Sequence, residues 1–296
     1  MSSSPWMTRS TGTFSSSVRE LARRIDAADA VLVGAGAGLS MACGPEFAYD
    51  GERFDRLFGD FARRYQFHDM YSGGFYPYGT LEEKWAFWSR YVWHNRYACP
   101  VGQPYLDLLG IVADKDHFVL TTNVDHQFQR AGFDRQRLFY TQGDYGLFQC
   151  SVPCHEGTYD NRDAIAAMVE RQDGLRVPSE LVPHCPVCGE PMDMNLRADD
   201  TFVQDEGWHR ACDRYVAWRN AHEEGRVVYL ELGVGGNTPA IVKYPFWRMV
   251  AQNPRAFYVQ VNQGEVVAPT EIADRTLLLD EDAAKVLAAV RTLREG

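Results

Sequence analysis

Short apolar runs recur along the chain, and each stops abruptly at glycine or polar residues. Ala30-Val31-Leu32-Val33 meets Gly34-Ala35-Gly36-Ala37-Gly38, and His117-Phe118-Val119-Leu120 meets Thr121-Thr122-Asn123-Val124-Asp125. Val227 to Leu232 meets Gly233-Val234-Gly235-Gly236-Asn237-Thr238. Phe257 to Val261 meets Asn262, and Thr276 to Leu279 meets Asp280-Glu281-Asp282. Continuous apolar strands spaced widely enough for helices between them predict an α/β protein with a parallel sheet buried on both faces. Ligands of such sheets bind outside the carboxyl ends of the strands, so these five polar ends predict one crevice.

Two stretches break the rhythm. Phe54 to Tyr97 is crowded with aromatics, among them Tyr71, Phe75, Tyr76, Tyr78, Trp85, Trp88, Tyr91 and Trp93, and Cys150 to Trp218 holds two close cysteine pairs. Both read as insertions that pack together into a smaller module. At the other end, Ser17-x-x-Glu20 forms a capping box ahead of a helical stripe of Val18, Leu21, Ala22 and Ile25. Residues 1–16 are rich in Ser and Thr and lack the apolar core of a secretory signal. They are expected to be a disordered tail, with an organellar transit peptide as the weaker alternative.

Composition narrows the function. A chain of 296 residues with 45% hydrophobic and 24% charged residues can bury a sizeable core and has room for about two domains. A net charge of −10 argues against a general nucleic-acid binder, whose affinity comes from neutralising phosphates. No apolar run approaches the roughly 20 residues needed to span a bilayer. Seven cysteines, four of them in pairs, read as a metal site plus free thiols. Cys43, Cys99 and Cys212 are expected to be buried or idle, as in a reducing cytoplasmic compartment.

Gly34-Ala35-Gly36-Ala37-Gly38-Leu39-Ser40 after a strand suits close approach of backbone to a pyrophosphate at a helix N-terminus. Alone it equally suits a tight turn without a ligand, and it is not the G-x-G-x-x-G of hydride-transferring dehydrogenases. The ordered set is more specific. Gly36-Ala37-Gly38-Leu39-Ser40, Thr122-Asn123-Val124-Asp125, the glycine-rich turn at Gly233 and Val261-Asn262 resemble the sirtuin (Sir2) family from about residue 17 onward. The resemblance implies a Rossmann-like NAD-binding domain of doubly wound parallel sheet plus a small zinc-ribbon and helical module. It implies NAD as a substrate cleaved at the nicotinamide–ribose bond. The expected division is 17–47, 98–149 and 225–296 for the NAD-binding domain, and 48–97 with 150–224 for the small module. The expected NAD contacts are Gly36, Ala37, Gly38, Ser40, Thr122, Asn123, Asp125, Gly233, Val234, Gly235, Asn237, Asn262 and Asp282.

The chain also departs from ordinary sirtuins. In Tyr140-Thr141-Gln142-Gly143-Asp144, Gln142 stands where the family has its catalytic histidine. A glutamine amide cannot titrate as a general base, though it can hydrogen-bond a ribose hydroxyl. Pro45-Glu46-Phe47-Ala48 lacks the family's arginine, and Thr122 replaces a usual glutamine. These departures, with Met70-Tyr71-Ser72-Gly73-Gly74-Phe75-Tyr76-Pro77, Met194-Asn195-Leu196-Arg197 and Val203-Gln204-Asp205-Glu206-Gly207-Trp208-His209, resemble the class M, macrodomain-linked branch. That resemblance implies protein mono-ADP-ribosylation of a lipoylated carrier related to the glycine-cleavage H protein. A macrodomain protein and a lipoate-protein ligase are the implied functional associates, and Asn123, Gln142 and Arg197 the implied catalytic residues. From residue chemistry alone, Arg197 reads as a surface ion pair.

Cys150-x3-Cys154 and Cys185-x2-Cys188 have zinc-ribbon spacing and are expected to hold a structural zinc, against the alternative of reduced thiols. His155 and His184 flank the pairs as substitute ligands. The aromatic stretch is expected to form the small module's core rather than stack on nucleobases, with Phe75, Tyr76 and Tyr78 as a flap beside Gly73-Gly74. Two other functions stay open at this level: a deacylase of ordinary sirtuin type, and an NAD-binding sensor without turnover.

Overall fold

The computed structural model describes residues 6–8, 12–236 and 239–295. Its spine is a six-stranded, all-parallel sheet. Across it run Thr276–Asp280, Phe257–Asn262, Val227–Leu232, Ala30–Ala35, Asp116–Thr121 and Leu138–Tyr140. The first strand of this sheet in chain order, Ala30–Ala35, sits in the middle, and chain order runs outward from it in both directions. This is the doubly wound Rossmann order, whose binding crevice lies where the order reverses, here between Ala30–Ala35 and Val227–Leu232. Five strands fall where the apolar runs predict them. The sixth, Leu138–Tyr140, is only three residues long, too short for periodicity to announce.

Strand side chains alternate between two cores. Val31, Val33 and Ala35 enter one with Phe14–Ala27, Gln103–Val112 and Ala283–Glu295. Ala30 and Leu32 enter the other with Lys243–Gln252. At Gly34 a Cβ would lie 2.3 Å from Val242 Cγ1, so glycine lets Lys243–Gln252 pack against the central strand. Beneath that helix Lys243 Nζ reaches Glu231 Oε1 at 2.5 Å, and Tyr258 donates to Glu231 Oε2 at 2.7 Å. All three groups are buried.

The small module is a three-stranded antiparallel sheet of Gly143–Cys150, Thr158–Asp160 and Met192–Leu196. Against it pack the helices Gly51–Tyr65, Leu81–Val92 and Arg162–Arg171. Phe54, Phe58, Phe61, Phe67, Trp85 and Phe87 fill its core, as expected of the aromatic stretch.

Two segments expected on one side of the boundary lie on the other. Gly143–Cys150, expected within the NAD-binding domain to residue 149, is the central strand of the small sheet. Glu206–Ala221, expected in the small module, packs on the large sheet. Ala211 joins the second core there, and Trp208 and Tyr215 meet Phe139. Its exposed face is polar enough to hide this from composition, and only the aromatic face decides the partner.

The first helix begins at Phe14 rather than after Ser17, because Thr13 caps it by accepting the Ser16 N–H. Within the expected tail, Trp6–Met7 pairs antiparallel with Ala268–Pro269, and Trp6 sits 5.7 Å from the Trp247 ring. Residues 1–5 and 9–11 lie outside the described residues.

Candidate active site

The carboxyl ends of the central strands and the rim of the small module enclose a cleft of about 660 Å³. At its floor two glycine turns meet. Gly36 N–H donates to Leu232 O at 3.0 Å, and Gly38 N–H donates to Gly233 O at 2.9 Å. A Cβ at Gly36 would lie 2.7 Å from Gly233 O. Gly233 itself has φ +60°, so both turns need glycine.

The segment after Asp116–Thr121 supplies the polar wall. Asn123 Nδ2 donates to Gly36 O at 3.0 Å and to Tyr105 OH at 3.1 Å. Ser40 Oγ donates to Asp125 Oδ2 at 2.5 Å and lies 2.7 Å from Tyr105 OH. Asp125 Oδ1 accepts the Gln127 N–H at 3.1 Å. Burial raises the Asp125 carboxyl above its usual range against the Ser40 and Gln127 hydrogen bonds. Thr122 N–H is anchored on Ala35 O at 3.0 Å. This network fixes Asn123 and Asp125 before any ligand arrives.

Gln142 also lines the cleft, half-buried, and its side-chain amide has no hydrogen-bond partner among the described residues. The Gln142 main-chain carbonyl accepts the Arg197 main-chain N–H at 3.1 Å, which brings Arg197 to the same mouth. Arg197 is exposed, and among the described residues it has no carboxylate partner. Its guanidinium lies 5.8 Å from the Phe202 ring centre, so the surface ion pair that residue chemistry suggested does not form.

Most expected NAD contacts therefore converge: Gly36, Ala37, Gly38, Ser40, Thr122, Asn123, Asp125, Gly233, Gly235 and Asn262 all line the cleft. Val234 does not; it is buried in the second core behind the turn. Asp282 does not either, because its carboxylate accepts the Ala284 and Lys285 N–H groups and caps the last helix. Asn237 lies outside the described residues. Of the expected flap only Phe75 lines the cleft, while Tyr76 and Tyr78 pack against Tyr65. Phe47 is buried and stands off the cleft.

Residue patterns gave no warning of several groups in and behind the cleft wall. Tyr105, which holds both Asn123 and Ser40, sits inside an ordinary amphipathic helix. Lys84 Nζ meets Asp193 at 2.7 Å across the mouth. Tyr49, Met70, Trp88, Tyr91, Met194 and Leu196 give that outer half an apolar, aromatic lining.

The four paired cysteines converge behind this wall. Cys150 and Cys188 Sγ are 3.5 Å apart, Cys154 and Cys185 are 3.6 Å apart, and all four sulfurs lie within 4.8 Å. A tetrahedral zinc with bonds of about 2.3 Å sets sulfur–sulfur distances of about 3.8 Å, so the donor set fits zinc. Against desolvation that raises it, the Cys188 and Val187 N–H groups bring the Cys185 thiol down to about 6, while desolvation and the neighbouring sulfurs push Cys154 up. Of the flanking histidines, His184 Nδ1 pairs with Gly189 O. His155 lies against the tetrad, with Nδ1 3.1 Å from Cys154 Sγ and Nε2 2.8 Å from Tyr159 OH. Of the remaining cysteines, Cys99 is buried, and Arg130 and Gln127 donate to its sulfur.

No family model matches the chain. A curated relative named "Protein ADP-ribosyltransferase" from Staphylococcus aureus strain Mu50 is 42% identical over 264 residues, 89% of this chain and 83% of the relative. The chain belongs to the protein ADP-ribosyltransferases. A Fusarium oxysporum f. sp. cubense protein named "Probable bifunctional ADP-ribose hydrolase/ADP-ribosyltransferase" is 31% identical over 86% of this chain, which spans 44% of that longer protein. The sirtuin fold is shown by a Sir2 homologue–NAD complex, with TM-score 0.60 and 17% identity over 98% of this chain and 96% of that one. A second Sir2 enzyme structure has TM-score 0.56 and 18% identity over 94% and 99%. The protein is thus an NAD-dependent ADP-ribosyltransferase, and most of the NAD contacts expected from sequence line this cleft. Among the described residues no helix is long and apolar enough to cross a membrane.

Proposed function

We propose that the protein transfers ADP-ribose from NAD to a lipoylated glycine-cleavage H-like carrier, releasing nicotinamide, as a member of the class M branch. The observation that carries the transferase reading is Gln142: a side-chain amide without a hydrogen-bond partner among the described residues, lining the same cleft as Asn123 and Asp125. It can orient a ribose hydroxyl by hydrogen bonding but cannot remove its proton, which disfavours the deacylase chemistry of ordinary sirtuins.

In this reading NAD is substrate. The glycine turns receive the pyrophosphate, and Asn123 and Asp125 hold the nicotinamide ribose. The C1′–nitrogen bond breaks through an oxocarbenium-like transition state, nicotinamide leaves with the bonding pair, and a nucleophile on the carrier attacks C1′, an ionised carboxylate directly or a neutral group with loss of its proton to water. Gln142 fixes the ribose while charge develops. Arg197, without a carboxylate partner among the described residues, steadies phosphate or draws an acidic acceptor through charge-assisted hydrogen bonds.

The carrier rests on the family resemblance. The apolar outer half of the cleft, with Trp88, Tyr71, Phe75 and Met194, supports it because a lipoyl arm is a long apolar chain. A macrodomain protein and a lipoate-protein ligase are the proposed functional associates. Gln142→Ala and Arg197→Ala are each expected to lower transfer by about 10²-fold, the cost of one positioned polar group at a reacting centre. Wild-type rates in either variant would remove that residue from the mechanism.

A further inference from the structure

Behind the cleft lies a cluster that the chemistry above does not use. Asp144 is buried two residues beyond Gln142, and both its carboxylate oxygens are occupied. Oδ2 lies 2.5 Å from His126 Nδ1, and Oδ1 accepts Arg96 Nε at 2.7 Å and the Gly146 N–H at 2.7 Å. The side chains of His126 and Arg96 are each 14% exposed. Although burial acts to raise the Asp144 carboxyl, the hydrogen bond from His126 and the charge of Arg96 hold it below the ordinary range. Asp144 is therefore an anion between two donors.

The three partners come from three separate segments. His126 directly follows Asp125 and has φ +65°, a left-handed conformation that a non-glycine residue adopts only under constraint. Arg96 belongs to the π-helical turn Trp93–Tyr97, which continues the helix Leu81–Val92. Asp144 stands at the start of the strand Gly143–Cys150, just after Gly143, where a Cβ would lie 1.9 Å from Asn195 O. One backbone bond, Tyr145 N–H to Val124 O at 2.9 Å, joins two of the same segments. None of His126, Asp144 and Arg96 lines the cleft. Asp125, next to His126, and Gln142, two residues before Asp144, both do.

We propose that Asp144 is a positioning residue: by binding His126 and Arg96 at once it locks the Asn123–Asp125 wall to the Gln142 lip, setting the distance across which the ribose is held. The inference rests on the role of Gln142 stated above. It assigns no proton transfer to His126 or Asp144. What the clamp supplies is the fixed separation of two polar groups from different elements, and misplacement by about 1 Å costs on the order of 10²-fold in rate.

The test is a double-mutant cycle on the full chain, reading the single-turnover rate of nicotinamide release and, separately, the Kd for NAD. Asp144→Asn keeps the side chain's shape and an oxygen for the Gly146 N–H, but removes the charge that His126 and Arg96 share. The rate is expected to fall by about 10²-fold, with Kd for NAD moving less than about threefold. In a Gln142→Ala background the same change is expected to cost less than about threefold more, because the group being positioned is gone. His126→Asn keeps a donor near Nδ1 and tolerates the left-handed backbone, so it should recover most of the rate that His126→Ala loses.

Asp144→Asn effects that multiply independently of Gln142→Ala would overturn the proposal, as would a wild-type rate in Asp144→Asn. If Asp144→Asn does not fold, the contrast between His126→Asn and His126→Ala decides, and equal losses in those two would overturn it. A wild-type rate in Gln142→Ala alone would instead strike the reading of Gln142 on which this one is built.

Discussion

Gly38 and Gly233 touch backbone to backbone at the bottom of the cleft: Gly38 N–H donates to Gly233 O at 2.9 Å, and a Cβ on Gly38 would come within 2.7 Å of Gly233 Cα. The contact joins the ends of two adjacent central strands at the point where sheet order reverses. Gly38→Ala must push the two turns apart, since neither neighbour is a flexible side chain. A loss of about 1–3 kcal/mol in stability is expected from such overpacking, with a larger proportional loss of NAD affinity. Thermal melts with and without NAD check it: the variant should lose most of the NAD-induced rise in Tm.

The thiolate tetrad gives a second expectation. Cys185→Ser removes one of four ligands and the thiol that the Cys188 and Val187 N–H groups favour as an anion. Purified protein should carry about one zinc per chain, and the variant markedly less. Because Cys150 ends the strand that begins beside Gln142, metal loss should also lower the transfer rate. Elemental analysis beside the activity assay reads both, and zinc-free protein of full activity and stability would contradict the assignment.

How much of this was legible beforehand depends on the range of the contact. The strand ends could be read because a buried parallel strand is apolar throughout and its ligand-facing end is not. The cysteine pairs could be read because metal geometry restricts their spacing. Tyr105 could not: it looks like any helix residue, and its role appears only when it reaches Asn123 and Ser40. Asp144 and Arg96 are 48 residues apart, and no periodicity relates them. Glu206–Ala221 was misplaced because a helix between two modules carries an apolar face that suits either. Asp282 was misread for the opposite reason, since an acidic residue at a strand end serves equally as a helix cap.

A buried ion pair tests the framework behind the glycine turn. Glu231 is raised by burial and brought back toward ionisation by Lys243, and Tyr258 also donates to it. Lys243→Met leaves Glu231 without its counter-charge in the core. A destabilisation of about 3–5 kcal/mol is expected, as for other half-removed buried pairs. Denaturant unfolding checks it, and the double variant with Glu231→Gln should recover part of the loss.

Acid should weaken the protein through His94. Burial first, and then the Arg53, Arg90 and Arg56 charges, depress its imidazole from 6.5 to about 4. The folded state thus binds the proton less readily than the unfolded one. Its contribution to stability is complete above about pH 6.5 and is lost as pH falls toward 4. His94→Gln, which cannot charge, should show a shallower fall in Tm across that interval than the wild type, and parallel curves would contradict the account.

The central claim is transfer of ADP-ribose to protein. It is tested most directly by intact-mass spectrometry of a glycine-cleavage H-like carrier, lipoylated and unlipoylated, after incubation with NAD and the enzyme. An acylated peptide is run alongside. The account predicts one ADP-ribose added to the lipoylated carrier, stoichiometric nicotinamide, and no O-acyl-ADP-ribose from the peptide. Formation of O-acyl-ADP-ribose with an unmodified carrier would contradict it.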